Sequence, residues 1–436
     1  MIWEFTLKNF FSFKDESVLS MVEWKSIKKD ELSENFIKLK NWHERLLKTT
    51  VIYWPNASWK STILRAVLFL KNLVLFSHKF NPKEQFDSVT YPQWMRLSPF
   101  LLDKEMQMKP TELSISFVTH KNIHYKYYIK LNVKKIIEEK LVWYYTSKPT
   151  ILIDRKNENI SFDSIYFNRA KKLIPEIREN QLVLSVCADK NIEEALSVYD
   201  YFRRIYIFMD WIQNEFDTQE MLNNDKNWEF KKFLINLVKK ADFSIKDFYR
   251  ETNDVLFKDL TDQQKQNTLI SLSQFGLEFN ENTKFKVSKK SFSHNLYSDG
   301  LNTWEFNIPY DYESMWTKWI FNIAGTIYNV MKEDYVLFWD EFDKSLHPDL
   351  TRNIIETIHS SNVWWQFILN THDTSLLDTK SLFRRDQIRF VEKNQFWASN
   401  LYSLLEFKER SNQDIEKQYL KWRYWAIPSF SWDSLF

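Results

Sequence analysis

The sequence predicts an α/β fold, a mixed β-sheet flanked by helices and split by a helical insertion. Three observations point there. The β-branched run "TTVIY" (49–53) leads through "WPNASWKST" into a helical stretch. Two further apolar runs, "DYVLFWD" (334–340) and "QFILNTHD" (366–373), read as buried strands flanking the helix "LTRNIIETIHSS" (350–361). Between the first strand and the other two, residues 165–260 alternate Lys, Glu and Asp with Leu, Ile and Phe at helical spacing.

In chain order, Ile2–Phe13 gives the first strand candidates, with apolar Ile2, Phe5, Leu7 and Phe10. A helix is expected from Lys60 to about Phe76, and one or two strands over Glu112–Ile129, where "ELSISFV" alternates well. "IEEALSVYDYFRRIYIFMDWI" and "WEFKKFLINLVKKA" read as helices of the middle region. Strand signals return after Phe279, and "QIRFVEK" and "NLYSLLEF" extend the sheet. The expected domains are 1–150, the first part of a head; 151–280, a helical insertion; and 281–436, the second part of the head.

Composition excludes several classes. The 60 basic and 58 acidic residues leave a net charge of +2, so no global field attracts nucleic acid. The single cysteine, Cys187, excludes a disulfide framework and a multi-cysteine metal site. The longest apolar run, near Ile63–Phe76, is interrupted by Arg65, Lys71 and Asn72, and no membrane span is expected. The opening "MIWEFTLKNFFSFKDE" has acid where a secretory signal is basic and lacks its apolar block, so a cytoplasmic location is expected.

Residues 54–61 match G-x-x-x-x-G-K-[ST], the phosphate-binding loop, except at its two glycines, where Trp54 and Trp59 stand. Such a loop wraps phosphates with backbone N–H groups, which requires positive φ and a bare backbone. Trp54, Pro55, Asn56, Ala57, Ser58, Trp59, Lys60, Ser61 and Thr62 would line the nucleotide. Lys60 would reach its β- and γ-phosphates, and the Ser61 hydroxyl would hold Mg²⁺. In "YVLFWDEFD" a strand ends in Asp340 and Glu341, with Asp340 placed to order Mg²⁺ and Glu341 to polarise an attacking water. His372 closes the next strand, one helix later, so neighbouring parallel strands would deliver it to the same sheet edge. In "ESMWTK" (313–318), Ser314 and Trp316 occupy a Ser-x-Gly-Thr-like turn that would offer N–H groups and a helix dipole to a γ-phosphate; on its own this turn reads rather as a simple helix cap.

At these motifs the chain resembles the ABC-like bacterial ATPases grouped as AAA ATPase subfamily 15, relatives of the RecF, SMC and OLD ATPases. "YWPNASWKST" is similar to that family's Y-G-P-N-A-S-G-K-S-T, and "ESMWTK" to its E-S-x-G-T-K. "DEFDKSLHPDLTR" and "LNTHDTSLLD" resemble its Walker B/D-loop and histidine-switch segments, and "YLKWRYWAIPSF" its C-terminal Y-L-x-G-R-Y-G-A-I-P. The resemblance implies an ABC/SMC-like P-loop ATPase head using ATP and Mg²⁺. Two heads would sandwich two ATP molecules, Lys60 and Ser61 of one facing Ser314 and the turn at 316 of the other. Glu341 would activate water, His372 would contact the γ-phosphate, and Asp343–His347 would form the D-loop across the dimer. It further implies phage defence or abortive infection with a separately encoded effector, such as a TOPRIM-like nuclease of the RloB type. No effector domain is expected within these residues, which would favour a partner in trans. Gln93 and Gln107 both fall in the interval of the Q-loop, which neither defines.

Trp54, Trp59, Trp316, Trp422 and Trp425 all fall where that family has glycine. The chain holds 3 glycines and 19 tryptophans, where average usage predicts about 30 glycines. Random decay would not spare Lys60, Ser61, Asp340, Glu341 and His372. The expectation is that UGA codons read as glycine in the source cell stand here as tryptophan, and that the literal sequence crowds the loop with indoles. The alternatives are a RecF-like DNA-repair ATPase, with a basic track including Lys289, Lys290, Arg384, Arg385 and Arg389, and a pseudo-ATPase scaffold whose tryptophans are genuine.

Overall fold

The computed structural model describes residues 1–24, 32–39, 42–54, 61–87, 96–144, 148–163, 165–209, 215–225, 228–241, 244–262, 265–266, 268, 280–298, 301–333, 335–344, 348–361, 365–407 and 415–420. It divides into two compact units, residues 1–213 with 329–436, and residues 214–328.

The larger unit opens with β1 (Ile2–Lys8) and β2 (Ser17–Ser20), then the short β3 (Phe36–Lys38) and β4 (Arg45–Leu47), β5 (Thr49–Tyr53) and α1 (Thr62–Phe76). After α2 (Lys104–Met108) come four strands joined as hairpins: β6 (Thr111–Val118), β7 (His124–Leu131), β8 (Ile136–Tyr144) and β9 (Thr150–Lys156), with β10 (Asn159–Phe162) at the edge. They build a seven-stranded antiparallel sheet ordered β10-β9-β8-β7-β6-β1-β2. The stretch expected as one or two strands is two, β6 and β7, paired in continuous register from Thr111↔Leu131 to Val118↔His124. The first strand stops at Lys8 because Asn9 and Phe11 adopt φ of 52° and 49°, which breaks the ladder.

Helices α3 (Val183–Asp189) and α4 (Glu193–Arg203) follow, then β11 (Ile205–Phe208). The stretch containing "RRIYIFMD" reads as helix in sequence, yet Ile205–Phe208 is a buried strand parallel to Val336–Trp339. A four-residue apolar run does not reveal whether its period is 2 or 3.6.

The second unit holds α5 (Glu215–Asn224), α6 (Glu229–Ala241), and the antiparallel strands β12 (Ile245–Leu256), β13 (Lys284–Ser298) and β14 (Leu301–Pro309). Helix α7 (Met315–Glu333) begins within it. Its core gathers Phe230, Leu234, Val238, Phe248, Phe292 and Phe321. The division at 213/214 and 328/329 departs from the expected 150/151 and 280/281. Residues between 151 and 213 complete the antiparallel sheet and pack α3 and α4 on α1. The middle region is also less helical than its charge pattern predicts, since Ile245–Leu256 pairs along β13 from Ile245↔His294 to Leu256↔Lys284.

The chain returns to the larger unit with β15 (Val336–Trp339), α8 (Pro348–Ser360), β16 (Gln366–Thr371), β17 (Ile388–Lys393), β18 (Ser399–Ser403) and α9 (Ile415–Leu420). A second sheet, ordered β11-β15-β16-β5-β17-β18, is parallel throughout except for β18. Its central strands β5, β15 and β16 are buried at every position, as expected of strands covered on both faces. Helix α1 buries Ile63, Leu64, Val67, Leu70 and Val74 completely, each contributing roughly 1.5–3 kcal/mol. Strands β5, β15 and β16 therefore end at one edge, beside the start of α1.

Candidate functional site

That edge collects the polar residues the sequence singles out. Asp340 immediately follows β15 and is nearly fully buried. Its Oδ2 accepts a hydrogen bond from the Ser61 hydroxyl, and its Oδ1 accepts one from Asn370 Nδ2 at 2.9 Å. Ser61 stands at the N-cap of α1, and its carbonyl accepts the Arg65 N–H at 2.7 Å. Burial pushes the Asp340 carboxyl up, with the Glu341 charge adding to the rise; the Ser61 and Asn370 hydrogen bonds and the Arg65 charge oppose it. The Arg65 guanidinium is pushed down by its own burial and held up by Asp340.

Two oxygens, one hydroxyl and one carboxylate, thus converge at the sheet edge. Hard oxygen ligands in this number suit Mg²⁺, which takes one or two protein oxygens and completes its shell with phosphate and water. A dication there would also offset the cost of a buried carboxylate. The donors fit the metal expected from the sequence, which Ser61 and Asp340 would hold. Among the described residues no group of three or more His, Cys, Asp or Glu gathers for a protein-only metal site.

Glu341 is half-buried and adopts φ of 50°, the left-handed region where a side chain costs roughly 1–2 kcal/mol. The turn is fixed on either side: Asp340 N–H donates to Phe208 O at 2.9 Å, and Phe342 N–H to Asn370 O at 3.0 Å. Lys344 lies 3.4 Å from the Glu341 carboxylate. The His372 N–H lies 3.3 Å from each oxygen of Asp343, which ties the end of β16 to the segment after β15. Tyr53, wholly buried, donates its hydroxyl to Asp373 O at 3.0 Å. The chain therefore brings Ser61, Asp340, Glu341 and His372 to one edge.

Other expected residues lie differently. Trp54 does not stand at the surface of the strand end. Its indole is packed in the core, edge-on to Phe13 with ring centroids 6.4 Å apart, and Nε1–H donates to Asn370 Oδ1 at 3.1 Å. Thr62 is fully buried with Oγ1 3.5 Å from Ser12 Oγ, so its side chain faces the interior. Pro55, Asn56, Ala57, Ser58, Trp59 and Lys60 lie outside the described residues, as do Gln93, His347, Trp422 and Trp425. Gln107 donates to Leu101 O at 2.6 Å on α2.

In the second unit Ser314 caps α7: its hydroxyl accepts the Thr317 N–H at 3.0 Å and its carbonyl the Lys318 N–H at 3.1 Å. Trp316 stacks on Trp319, 5.5 Å between ring centroids, against that unit's core. The expected basic track is corrected in part. Arg384 is buried between Asp386, at 2.9 Å, and Glu23, at 3.1 Å. Arg389 is buried with its guanidinium donating to Ser20 O at 2.9 Å, and Arg385 donates to Leu404 O and Phe407 O. These arginines are committed to internal acceptors. Sequence reasoning passed over Asn370 and Arg65, because nothing local to either marks it as a neighbour of Asp340.

A protein-family model described as "AAA domain, putative AbiEii toxin, Type IV TA system" matches residues 49–378. Among solved structures the chain is similar to the SMC head domain from Thermotoga maritima, at 14% identity and a TM-score of 0.40, covering 92% of this chain and 98% of that one. It is similar to an SMC head bound to the C-terminal winged-helix domain of ScpA, at 13% identity and a TM-score of 0.44, covering 92% and 97%. It is also similar to the recombination mediator RecF of the RecFOR pathway, at 12% identity and a TM-score of 0.38, covering 92% and 98%. No curated protein matches.

Proposed function

The chain belongs to the AAA-domain family matched over residues 49–378, and from that premise we propose that it binds and hydrolyses ATP at the edge formed by β5, β15 and β16. The observation that carries the reading is the meeting of Ser61 and Asp340 at the start of α1. Mg²⁺, when bound, neutralises charge on the β- and γ-phosphate oxygens. Ser61 and Asp340 hold its place, Lys60 reaches the same phosphates, Glu341 orients and polarises the attacking water, and His372 contacts the γ-phosphate. Two such heads close on ATP as a homodimer, with Ser314 and position 316 of one facing the phosphate loop of the other. Opening on hydrolysis controls a separately encoded effector in phage defence, a TOPRIM-like nuclease of the RloB type. A chain carrying glycine at positions 54 and 59 should hydrolyse ATP in a Mg²⁺-dependent manner, and exchange of Asp340 for Asn should abolish it. Turnover indifferent to Asp340 removes the reading.

The glycines belong to the proposal: positions 54, 59, 316, 422 and 425 are glycine in the protein made by its own cell. Backbone geometry supports the same substitution at two further tryptophans. Trp397 has φ of 64° and Trp228 of 60°, where a bulky L-residue is an outlier and glycine is at ease. Four of the other positive-φ residues, Asn9, Asn122, Asn157 and Asn191, are asparagine, which tolerates that region. Other tryptophans serve as aromatics: Trp3 stacks on His124 at 4.9 Å, and Trp143 packs on Tyr166 at 4.6 Å. Peptide masses of the protein from its source cells decide the matter. Glycine is expected at 54, 59, 228 and 397 and tryptophan at 3 and 143; tryptophan at all six leaves the pseudo-ATPase scaffold.

A further inference from the structure

One side chain at the strand ends is unassigned by any of the motifs. Asn370 is the penultimate residue of β16. The pairing Trp339↔Leu369 sets it beside Asp340 across two parallel strands, and it is 2% exposed. All its polar side-chain atoms are engaged. Nδ2 donates to Asp340 Oδ1 at 2.9 Å, and Oδ1 accepts the Trp54 indole N–H at 3.1 Å. An indole N–H only donates and a carboxylate only accepts, so the amide orientation is fixed by its two neighbours. The Asn370 carbonyl also accepts the Phe342 N–H at 3.0 Å, which ties the backbone after the Asp-Glu pair to the same residue.

We propose that Asn370 is a positioning residue for the Mg²⁺ site: it pins Oδ1 of Asp340 so that Oδ2, on the Ser61 side, is the oxygen presented to the ion. The proposal rests on the ATPase reading above for what the site holds. A carboxylate turns about its last torsion with little preference, so an unheld Asp340 would divide its time between orientations. The amide holds one of them without introducing charge. A lysine at this place would cancel the carboxylate, and an aspartate would set two like charges side by side. Partners of ligating carboxylates commonly change metal affinity about 10–100-fold when removed. The arrangement does not need the indole. The indole meets only Oδ1, whereas the Nδ2 bond runs directly to Asp340 between neighbouring strands whose register pairs Trp339 with Leu369.

The test uses full-length chain with glycine at 54 and 59, its Asn370→Ala variant, and Asn370→Ser, which keeps a shorter donor. Mn²⁺ binding is measured by electron paramagnetic resonance with a non-hydrolysable ATP analogue, and metal-free binding of the same analogue by calorimetry. Asn370→Ala should weaken Mn²⁺ binding about 10–100-fold while metal-free analogue binding is unchanged, and Asn370→Ser should recover part of the loss. Unchanged Mn²⁺ affinity in either folded variant overturns the proposal, as does an equal loss of metal-free binding, which marks a merely structural role. Should the alanine variant fail to fold, the serine variant decides by the same two readings. Absence of any Mn²⁺–analogue binding by the parent overturns the ATPase reading itself, and the positioning role with it.

Discussion

Trp397 closes the turn between β17 and β18 with φ of 64°, its N–H donating to Asn394 O at 2.9 Å while Asn394 N–H donates to Ala398 O at 2.9 Å. A turn followed by one left-handed residue is the three-residue hairpin loop whose last position favours glycine. Comparing Trp397→Gly with Trp397→Ala isolates the backbone contribution. Both variants lose the same indole, which is 58% exposed, and its contact with Lys393 Nζ, 4.9 Å from the ring centroid. They differ only in a Cβ. At φ near +60° that atom costs roughly 1–2 kcal/mol. Against this, the freer unfolded chain of the glycine variant costs it about 0.4–1 kcal/mol. The glycine variant should therefore be the more stable by about 0.5–1 kcal/mol, whereas at ordinary surface positions alanine leads. Equilibrium urea unfolding followed by circular dichroism reads the difference as a midpoint shift of a few tenths of a molar. An alanine variant as stable as the glycine variant, or more so, refutes the reasoning that 397 is a glycine position.

Other perturbations have definite signs. Gly325→Ala should destabilise the second unit by about 1–3 kcal/mol, seen in thermal unfolding, because its Cβ would sit 2.7 Å from the backbone nitrogen of Thr218. His359 is buried, its Nε2 2.6 Å from Thr49 Oγ1, and burial with the nearby Lys48 charge lowers its pKa to about 3. A histidine lowered on folding contributes stability that is full above its unfolded pKa of about 6.5 and is lost as pH falls toward the folded value. Between those limits it should cost about 1.4 kcal/mol per pH unit, and His359→Asn should flatten that part of the acid-unfolding curve. Asp340→Asn should raise the stability of the nucleotide-free protein by up to about 2 kcal/mol, since burial disfavours the carboxylate; a drop in the unfolding midpoint would contradict the electrostatic account.

The site was legible wherever chemistry follows directly on a strand. Asp340, Glu341 and His372 each terminate or follow an apolar run, and a parallel sheet brings such ends together without further information. What sequence could not show depended on partners far along the chain. Asn370 becomes informative only beside Asp340, and Trp54 only once Phe13 and Asn370 receive its indole. Arg384 and Arg389 read as surface cations because Glu23, Asp386 and Ser20, which satisfy them, lie in other elements. Ile205–Phe208 was hidden by the helical spacing of its neighbours, and Ile245–Leu256 by its charges, which suit a half-exposed strand as well as a helix.

The central claim is tested most directly by steady-state ATP hydrolysis with protein purified from its own source cells, with and without Mg²⁺, beside the Glu341→Gln variant made there. The account predicts Mg²⁺-dependent turnover that falls about 10²–10⁴-fold in the variant, the range of a lost general base. No turnover by the unaltered protein, or turnover unmoved by Glu341→Gln, would contradict it.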